Sequence, residues 1–475
     1  MKIYKDHDKR LYWTYGIFLL ISFSIHFFHE PWRDEIQALL IVQHSQSLTE
    51  LIQNIRYEGH PILWFIILYI LKSVHLGIWG MKIIHWLFIS GAVYILLFKS
   101  RLKLIWKLLL PFGYYFLFEY NAICRNYSIG ILLLFLTIQA IEQKKWYLVT
   151  LYISLCFQCN VYMLLLSSSL WFFVFTQHIK SQTKTILLNS TIILSVFSFT
   201  IFYIIPPTDT GFAVEYNFQW KQIIEVICAY CRALVILPKL RIGFWNTNCL
   251  GVLETKIVGS LLLLFLSIYF FQFKKVFIFF LMSLLMIGGF LGIKYMGYIR
   301  HQGHLYLSLI TSIWLISIYY PEKKFRFQII FETIISCIFI LQIYSSLLAY
   351  YYDYYHPFSN GDNVSNYLKE TKRANYRLIA INDFSASTIS GILQKNIYYL
   401  NARKEGGFVI WNNKRGQEVT DEIINYYTDS FSKLNKVIVI RNDSISIFQT
   451  HLKYLKGFTN EICGAETYFL YEYQK

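Results

Sequence analysis

Asp34 and Glu35 are adjacent carboxylates placed where the first apolar segment of the chain gives way to a polar loop. A carboxylate beside low-dielectric lipid holds its proton more tightly, and one so placed suits a general base that deprotonates a hydroxyl or an amine. Both are candidate catalytic groups. They belong to the stretch Phe28 to Leu63 (FHEPWRDEIQALLIVQHSQSLTELIQNIRYEGHPIL), which also holds His29, His44 and His60, an amphipathic helical run and the turn Tyr57-Glu58-Gly59-His60-Pro61. Pro61 suits the first position of the next helix, and Gly59 the turn before it. Arg33, Glu58 and His60 are thereby brought to the same membrane face as Asp34, as candidate substrate-binding groups. The plainer alternative is that Asp34 and Glu35 only cap a helix over Ile36–Val42, where negative charge in the first turn is favoured.

Two later clusters match this chemistry. In Arg300-His301-Gln302-Gly303-His304, Arg300 and His304 are four apart and share a helix face. A guanidinium at a membrane surface beside a helix start is a phosphate site, and a snorkelling arginine is its rival explanation. His301 and His304 would also begin a divalent-metal site if Asp34, Glu58 or His60 completed the ligand set. Glu119-Tyr120-Asn121 precedes Arg125-Asn126-Tyr127. Polar groups this deep in apolar sequence are costly, and Arg125 either contacts a phosphate oxygen or pairs with Glu119. The spacings Cys156–Cys159 and Cys228–Cys231 lie in apolar helical context and read as small core residues. No Ser/His/Asp order, HExxH or phosphate-binding glycine loop occurs, which disfavours covalent catalysis.

The elements that must hold these groups are membrane helices. The 475 residues are 56% hydrophobic and 15% charged, against about 25% charged in soluble domains. Apolar segments fall near 11–29, 60–76, 78–98, 104–119, 126–142, 146–159, 160–179, 184–205, 253–273, 276–296, 299–319 and 328–350. The expected fold is a polytopic α-helical membrane protein of about 11–13 spans, because only helices satisfy the backbone of such runs in lipid. The first segment follows Lys2, Lys5, Lys9 and Arg10 with no small-residue cleavage site, so it reads as a retained anchor. The net charge of +16 lies mostly in short loops, as the positive-inside bias expects, and no nucleic-acid motif accompanies it.

Basic loops at Lys99–Arg101–Lys103 with Lys107, Lys144–Lys145, Lys180–Lys184, Lys274–Lys275 and Lys323–Lys324–Arg326 face the cytoplasm on this rule. The 206–252 loop, the 297–304 turn, Arg125 and the C-terminal tail then lie outside. An outside loop 30–60, two crossings over 60–98 and an inside Lys99 clash by parity. One apolar segment there must therefore fail to cross. From about Tyr355 charge rises and apolar runs shorten. Strands near 377–383, 396–401, 436–441 and 467–473 alternate with helices near 364–372, 386–394 and 419–434. They predict a small α/β domain with a largely parallel sheet over 355–475, after a transmembrane module over 1–354.

The anchor helix, the Asp34–Glu35 loop, His60–Pro61 at the second apolar segment and the outside C-terminal domain together resemble the C-fold glycosyltransferases. That superfamily includes the protein O-mannosyltransferases and the bacterial aminoarabinose transferase of lipid A. The likeness is concentrated in the first 130 residues, in WRDEIQALLI and YEGHPILW, with RHQGH at 300–304. It implies transfer of one sugar from a polyprenyl-phosphate donor to an envelope glycan or lipid acceptor, on the extracytoplasmic side of a bacterial cytoplasmic membrane. Asp34 matches the family's catalytic loop carboxylate. Glu35 and His60 match cavity positions, and Arg300 loosely matches a lipid-phosphate ligand. The large outside domain that mannosyltransferases carry between later helices is missing, which argues against a protein acceptor. Two other classes remain: a transporter or flippase of a lipid-linked glycan, which calls for inverted repeats, and a non-catalytic scaffold of envelope assembly. The orientation predicts that a cysteine at Gln46 is labelled by an impermeant maleimide from outside intact cells. Labelling from the cytoplasmic side alone refutes it.

Overall fold

The computed structural model describes residues 8–211, 220–321, 326–444 and 451–474. Lys2, Lys5, Lys323, Lys324 and the 212–219 part of the 206–252 loop lie beyond them. The first half contains α1 (Lys9–Ser24), α2 (Arg33–His44), α3 (Leu48–Asn54), α4 (Leu63–Ser73), α5 (Gly77–Lys99) and α6 (Leu104–Leu109). Next come α7 (Tyr127–Glu142), α8 (Trp146–Phe157), α9 (Val161–His178) and α10 (Thr183–Ile204). After the gap follow α11 (Trp220–Leu234), α12 (Val252–Phe271), α13 (Lys274–Ile293), α14 (Ile299–Tyr319) and α15 (Gln328–Tyr355).

Among the described residues, six helices are long and apolar enough to cross a membrane: α5, α9, α10, α12, α13 and α15. This is fewer than the twelve apolar segments, and the shortfall has local causes. The 60–76 segment yields only the 11 residues of α4. At 1.5 Å per residue that is about 16 Å, roughly half a hydrocarbon layer. The 104–119 segment is not one helix. Pro111 interrupts it in a 3-10 turn at Leu110–Phe112, and a π-turn at Tyr115–Glu119 follows. This break leaves Tyr120–Arg125 as non-helical backbone inside the protein. Helix α14 is buried at every residue from Ile299 to Ile316 and is the central post of the bundle, as expected for a helix apolar on most sides.

The C-terminal region contains α16 (Gly361–Glu370), α17 (Asp383–Leu393) and α18 (Asp421–Ser432). Its strands are β1 (Arg377–Ala380), β2 (Ile397–Tyr399), β3 (Lys404–Gly406), β4 (Val437–Arg441), β5 (Leu452–Phe458) and β6 (Tyr468–Tyr473). They form one sheet in the order β3-β2-β1-β4-β6-β5. The sheet is mixed, not largely parallel. Only β1–β2 and β1–β4 are parallel, while β2–β3, β4–β6 and β5–β6 are antiparallel. The short β3 and the lysine-rich β5 lack a clean apolar alternation and escape a pattern search. On the parallel side, Ile379 and Val439 pair in register in the buried centre.

Helix α2 joins the two regions. Its residues Glu35 through Val42 are all buried, between α4 and α17. The run Ala-Leu-Leu-Ile-Val therefore reflects burial on both faces. Gly391 of α17 packs directly against α2. A Cβ there would lie 2.3 Å from the Ile36 Cγ2 and 3.4 Å from the Leu40 Cγ. Gly391→Ala should therefore destabilise by about 1–3 kcal/mol through overpacking, read as a lower melting temperature of the purified protein. Adding Ile36→Ala should remove that extra penalty, since the clashing methyl is gone.

Candidate active site

Glu35 anchors the start of α2. Its Oε2 accepts from the Trp32 backbone N–H (3.1 Å), which closes the first turn. Its Oε1 accepts from the Cys124 N–H (2.6 Å), which fastens the broken 120–125 segment. His29 bridges the Glu35 carboxylate (3.5 Å) and Asp353 of α15 (2.7 Å). Burial alone would push the His29 imidazole down. Asp353 and Glu35 outweigh it and hold it at about 9, so it is an imidazolium between two carboxylates. Burial pushes Glu35 up, but His29 and the two N–H donors bring it below the ordinary carboxylate range. With both oxygens committed and no side-chain exposure, Glu35 is a structural clamp. That corrects its assignment as a catalytic partner of Asp34.

Asp34, one residue earlier, points the other way and is 27% exposed. Arg125 Nη1 lies 3.2 Å from its Oδ2, Arg300 Nη2 3.3 Å from the same oxygen, and Arg33 Nε 3.8 Å from Oδ1. Three guanidiniums face one carboxylate, leaving a formal surplus of two positive charges. Burial raises the Asp34 carboxyl, and the attraction of Arg125, Arg300 and Arg33 lowers it further than burial raises it. A position beside lipid predicts a raised value. The structure instead keeps Asp34 ionised, because three cations from distant segments converge on it.

Arg125 also donates to the Asp34 backbone carbonyl (2.8 Å) and to His60 Nε2 (3.0 Å). His60 must accept at Nε2, so the proton of the neutral ring is assigned to Nδ1. Burial and Arg125 push the His60 value down to about 3, which keeps the ring neutral. Arg300, at the start of α14, is only 7% exposed. Trp32, Trp245 and Tyr298 stand 5.2, 5.4 and 5.0 Å from its guanidinium carbon. Its Nε and Nη1 are buried with no hydrogen-bond partner. Unmet buried donors on a cation are costly, and an anion reaching them would recover that cost.

The C-terminal domain closes the other side. The Arg33 guanidinium lies between Trp32 (4.9 Å) and Phe384 of α17 (4.7 Å), and its backbone N–H donates to Glu466 Oε1 (2.7 Å). Gln37 donates to Glu58 Oε1 (2.8 Å) and to the Val409 carbonyl (2.7 Å), and it accepts from the Val409 N–H (2.9 Å). Glu58 is pushed up to about 7. Burial is the main cause and the Asp34 charge adds to it, against Gln37, Arg125 and a Trp411 hydrogen bond. The second titratable carboxyl near Asp34 is therefore Glu58, not Glu35.

The remaining sequence candidates are held by other contacts. His301 Nδ1 accepts from the Tyr298 N–H (2.9 Å) and caps α14. His304 bonds the His301 carbonyl (3.0 Å) and stacks on Tyr162 (5.4 Å). Neither turns to Asp34, and among the described residues no three His, Cys, Asp or Glu side chains converge as metal ligands. Glu119 does not pair with Arg125. It accepts from the Tyr114 hydroxyl (2.9 Å) and Trp245 Nε1 (3.0 Å). Gln37, Trp245, Glu466 and Asp353 escape the sequence search. So does Lys82, whose Nζ donates to the carbonyls of His26 and His29 (2.8 Å each). Lys82 had a signal, since it is a charge inside an apolar run, and Asp353 stands just past the end of one.

No family model, curated protein or solved structure matches this chain.

The clamp and the candidate base should separate on mutation. Glu35→Ala strands two buried backbone donors and His29, and should cost several kcal/mol, whereas Asp34→Asn keeps the side chain's shape and an accepting oxygen and should lower the melting temperature by less. The folded protein also binds more protons than the unfolded chain between the ordinary glutamate value and about 7, through Glu58. Stability from this group is thus lost as pH rises across that window. A pH series of melting temperatures should show a steeper fall between about pH 4.5 and 7 in the native protein than in Glu58→Gln.

Proposed function

We propose that this protein is a membrane glycosyltransferase that takes a sugar from a polyprenyl-phosphate donor. The observation that carries the proposal is the pairing of an ionised Asp34 with Arg300, whose two buried N–H groups lack partners. Arg300 and Arg125 hold the donor phosphate, and the isoprenoid lies in an apolar groove between helices. An acceptor hydroxyl attacks the anomeric carbon from the face opposite the phosphate, so configuration inverts. The bond from that carbon to the phosphate oxygen breaks. Polyprenyl phosphate leaves with the electron pair and gains one negative charge, which the arginines offset. Asp34 takes the hydroxyl proton.

In this scheme Asp34 occupies the place of an anion while the donor is absent. Phosphate arriving at Arg300 and Arg125 draws both away from the carboxylate, and Asp34 becomes a stronger base when the substrate is in place. The acceptor, an envelope glycan or lipid, enters between Glu58 and the C-terminal domain. The short α4 supports a single orientation. If it does not cross, the 30–60 loop and the C-terminal domain lie outside and Lys99–Lys103 inside, which suits a bacterial cytoplasmic membrane. A flippase is the second reading, favoured by the discontinuous 104–126 segment.

Purified protein incubated with polyprenyl-phosphate sugars and candidate acceptors should release polyprenyl phosphate. Asp34→Asn should slow transfer by about 10²- to 10⁴-fold, the usual weight of a general base. Arg300→Gln should weaken donor binding as well as turnover. Transfer unaffected by Asp34→Asn refutes the base. Movement of labelled donor across proteoliposomes without sugar transfer favours the flippase.

A further inference from the structure

A cavity of about 470 Å³ lies at the far end of α2, between α2, α4 and the end of α17. Its lining on α2 runs from Leu39 to His44, about 8 to 15 Å along the helix from Asp34, and none of Arg33, Arg125 and Arg300 lines it, so it is separate from the arginine cluster. Its size is that of a small-molecule or headgroup site. Leu39 and Leu40 of α2 with Leu68 and Leu71 of α4 form an apolar floor. Lys72, His75, His44 and Lys395 stand around them, and among the described residues no carboxylate lines the cavity. The two ammoniums are held in place. Lys72 Nζ donates to the carbonyls of Gln43 (3.1 Å) and Ser45 (2.7 Å), and Lys395 Nζ to those of Ala374 (2.8 Å) and Tyr376 (2.7 Å). Each keeps a third N–H.

The surroundings of the cavity say what reaches it. Beside it, at the turn where α4 meets the spanning helix α5, Ile70, Val74, Leu76 and Trp79 are exposed by 61%, 57%, 48% and 45%. Apolar side chains with a tryptophan at the end of a crossing helix are the signature of a membrane surface. Leucine floor, cationic rim and lipid-facing surroundings together describe the two ends of an acidic lipid.

We propose that this cavity binds one anionic phospholipid, its phosphate between Lys72, His75 and Lys395 and its chains on the leucine floor. Because α17 belongs to the C-terminal domain and α2 carries Asp34, the lipid fastens that domain to the membrane module. The inference rests on α5 lying in a membrane and not on sugar transfer.

The full-length protein in neutral detergent, without donor, is titrated with phosphatidylglycerol and with phosphatidylcholine, bound lipid being counted by native mass spectrometry. One phosphatidylglycerol should bind at least tenfold more tightly than phosphatidylcholine and raise the melting temperature. Lys72→Gln with Lys395→Gln should lose that preference. So should Asn396→Asp, which leaves the packing in place and sets a carboxylate at the exposed rim. Asp34→Asn should bind the lipid as the native protein does, whatever becomes of its turnover. Equal affinity for the two lipids, or an unchanged preference in both variants, overturns the proposal. It is equally overturned if glycerol phosphate binds as well as the lipid, or if polyprenyl phosphate displaces it, since the site would then serve a soluble phosphate or the donor.

Discussion

The Glu35 carboxylate ties together chain segments that are far apart in sequence. It takes the N–H of Trp32 at the start of α2 and the N–H of Cys124 in the broken segment, and through His29 it reaches Asp353 of α15. In a water-free interior each of these groups would be costly alone. Joined, they leave few ways to arrange the 29–35 loop. Arg125 follows Cys124 by one residue, and Asp34 precedes Glu35 by one. The contact between them is therefore a consequence of the clamp. The clamp has no surface exposure, so its role is to position and not to react.

Around this fixed point the electrostatics are unbalanced. Three guanidiniums surround Asp34, yet Arg300 leaves two donors unmet. A protein selected for stability alone would pair or solvate such a cation. The surplus positive charge sits beside a half-buried carboxylate and under the edge of the C-terminal domain. That domain is more than an appendage. Phe384 covers Arg33, Glu466 holds its backbone, and Val409 fastens Gln37 beside Glu58. Helix α2 is pressed between the two halves of the chain, so the position of the domain and the geometry of Asp34 are mechanically linked.

Much of this was legible in the sequence, and the failures have physical reasons. Long apolar runs announce membrane helices, and the tail shows its β/α alternation around 377–441. The number of continuous helices was not readable, because hydropathy does not register a proline break at Pro111 or a helix stopped after 11 residues. The polar residues of Phe28–Leu63 were visible as an anomaly, and Arg125 and Arg300 as costly charges. Their assignment to partners was not, because Arg125 could equally have met Glu119. That Glu35 is clamped while Glu58 is the titratable carboxyl near Asp34 was hidden for the same reason. Adjacent carboxylates on a helix point about 100° apart, and only the neighbours of each decide which is clamped and which stands in the site.

By itself, then, the sequence determined the long apolar helices, the separate C-terminal α/β region and the small set of charged residues worth watching. Those properties follow from local composition and period. The tertiary structure alone decided the mixed sheet, the burial of α2 on both faces, the capping roles of His301 and Glu35 and the meeting of Arg33, Arg125 and Arg300 at one oxygen-rich point. These depend on contacts between residues tens to hundreds of positions apart. No local pattern encodes them, because the energy of a buried charge is set by what surrounds it and not by what precedes it in the chain.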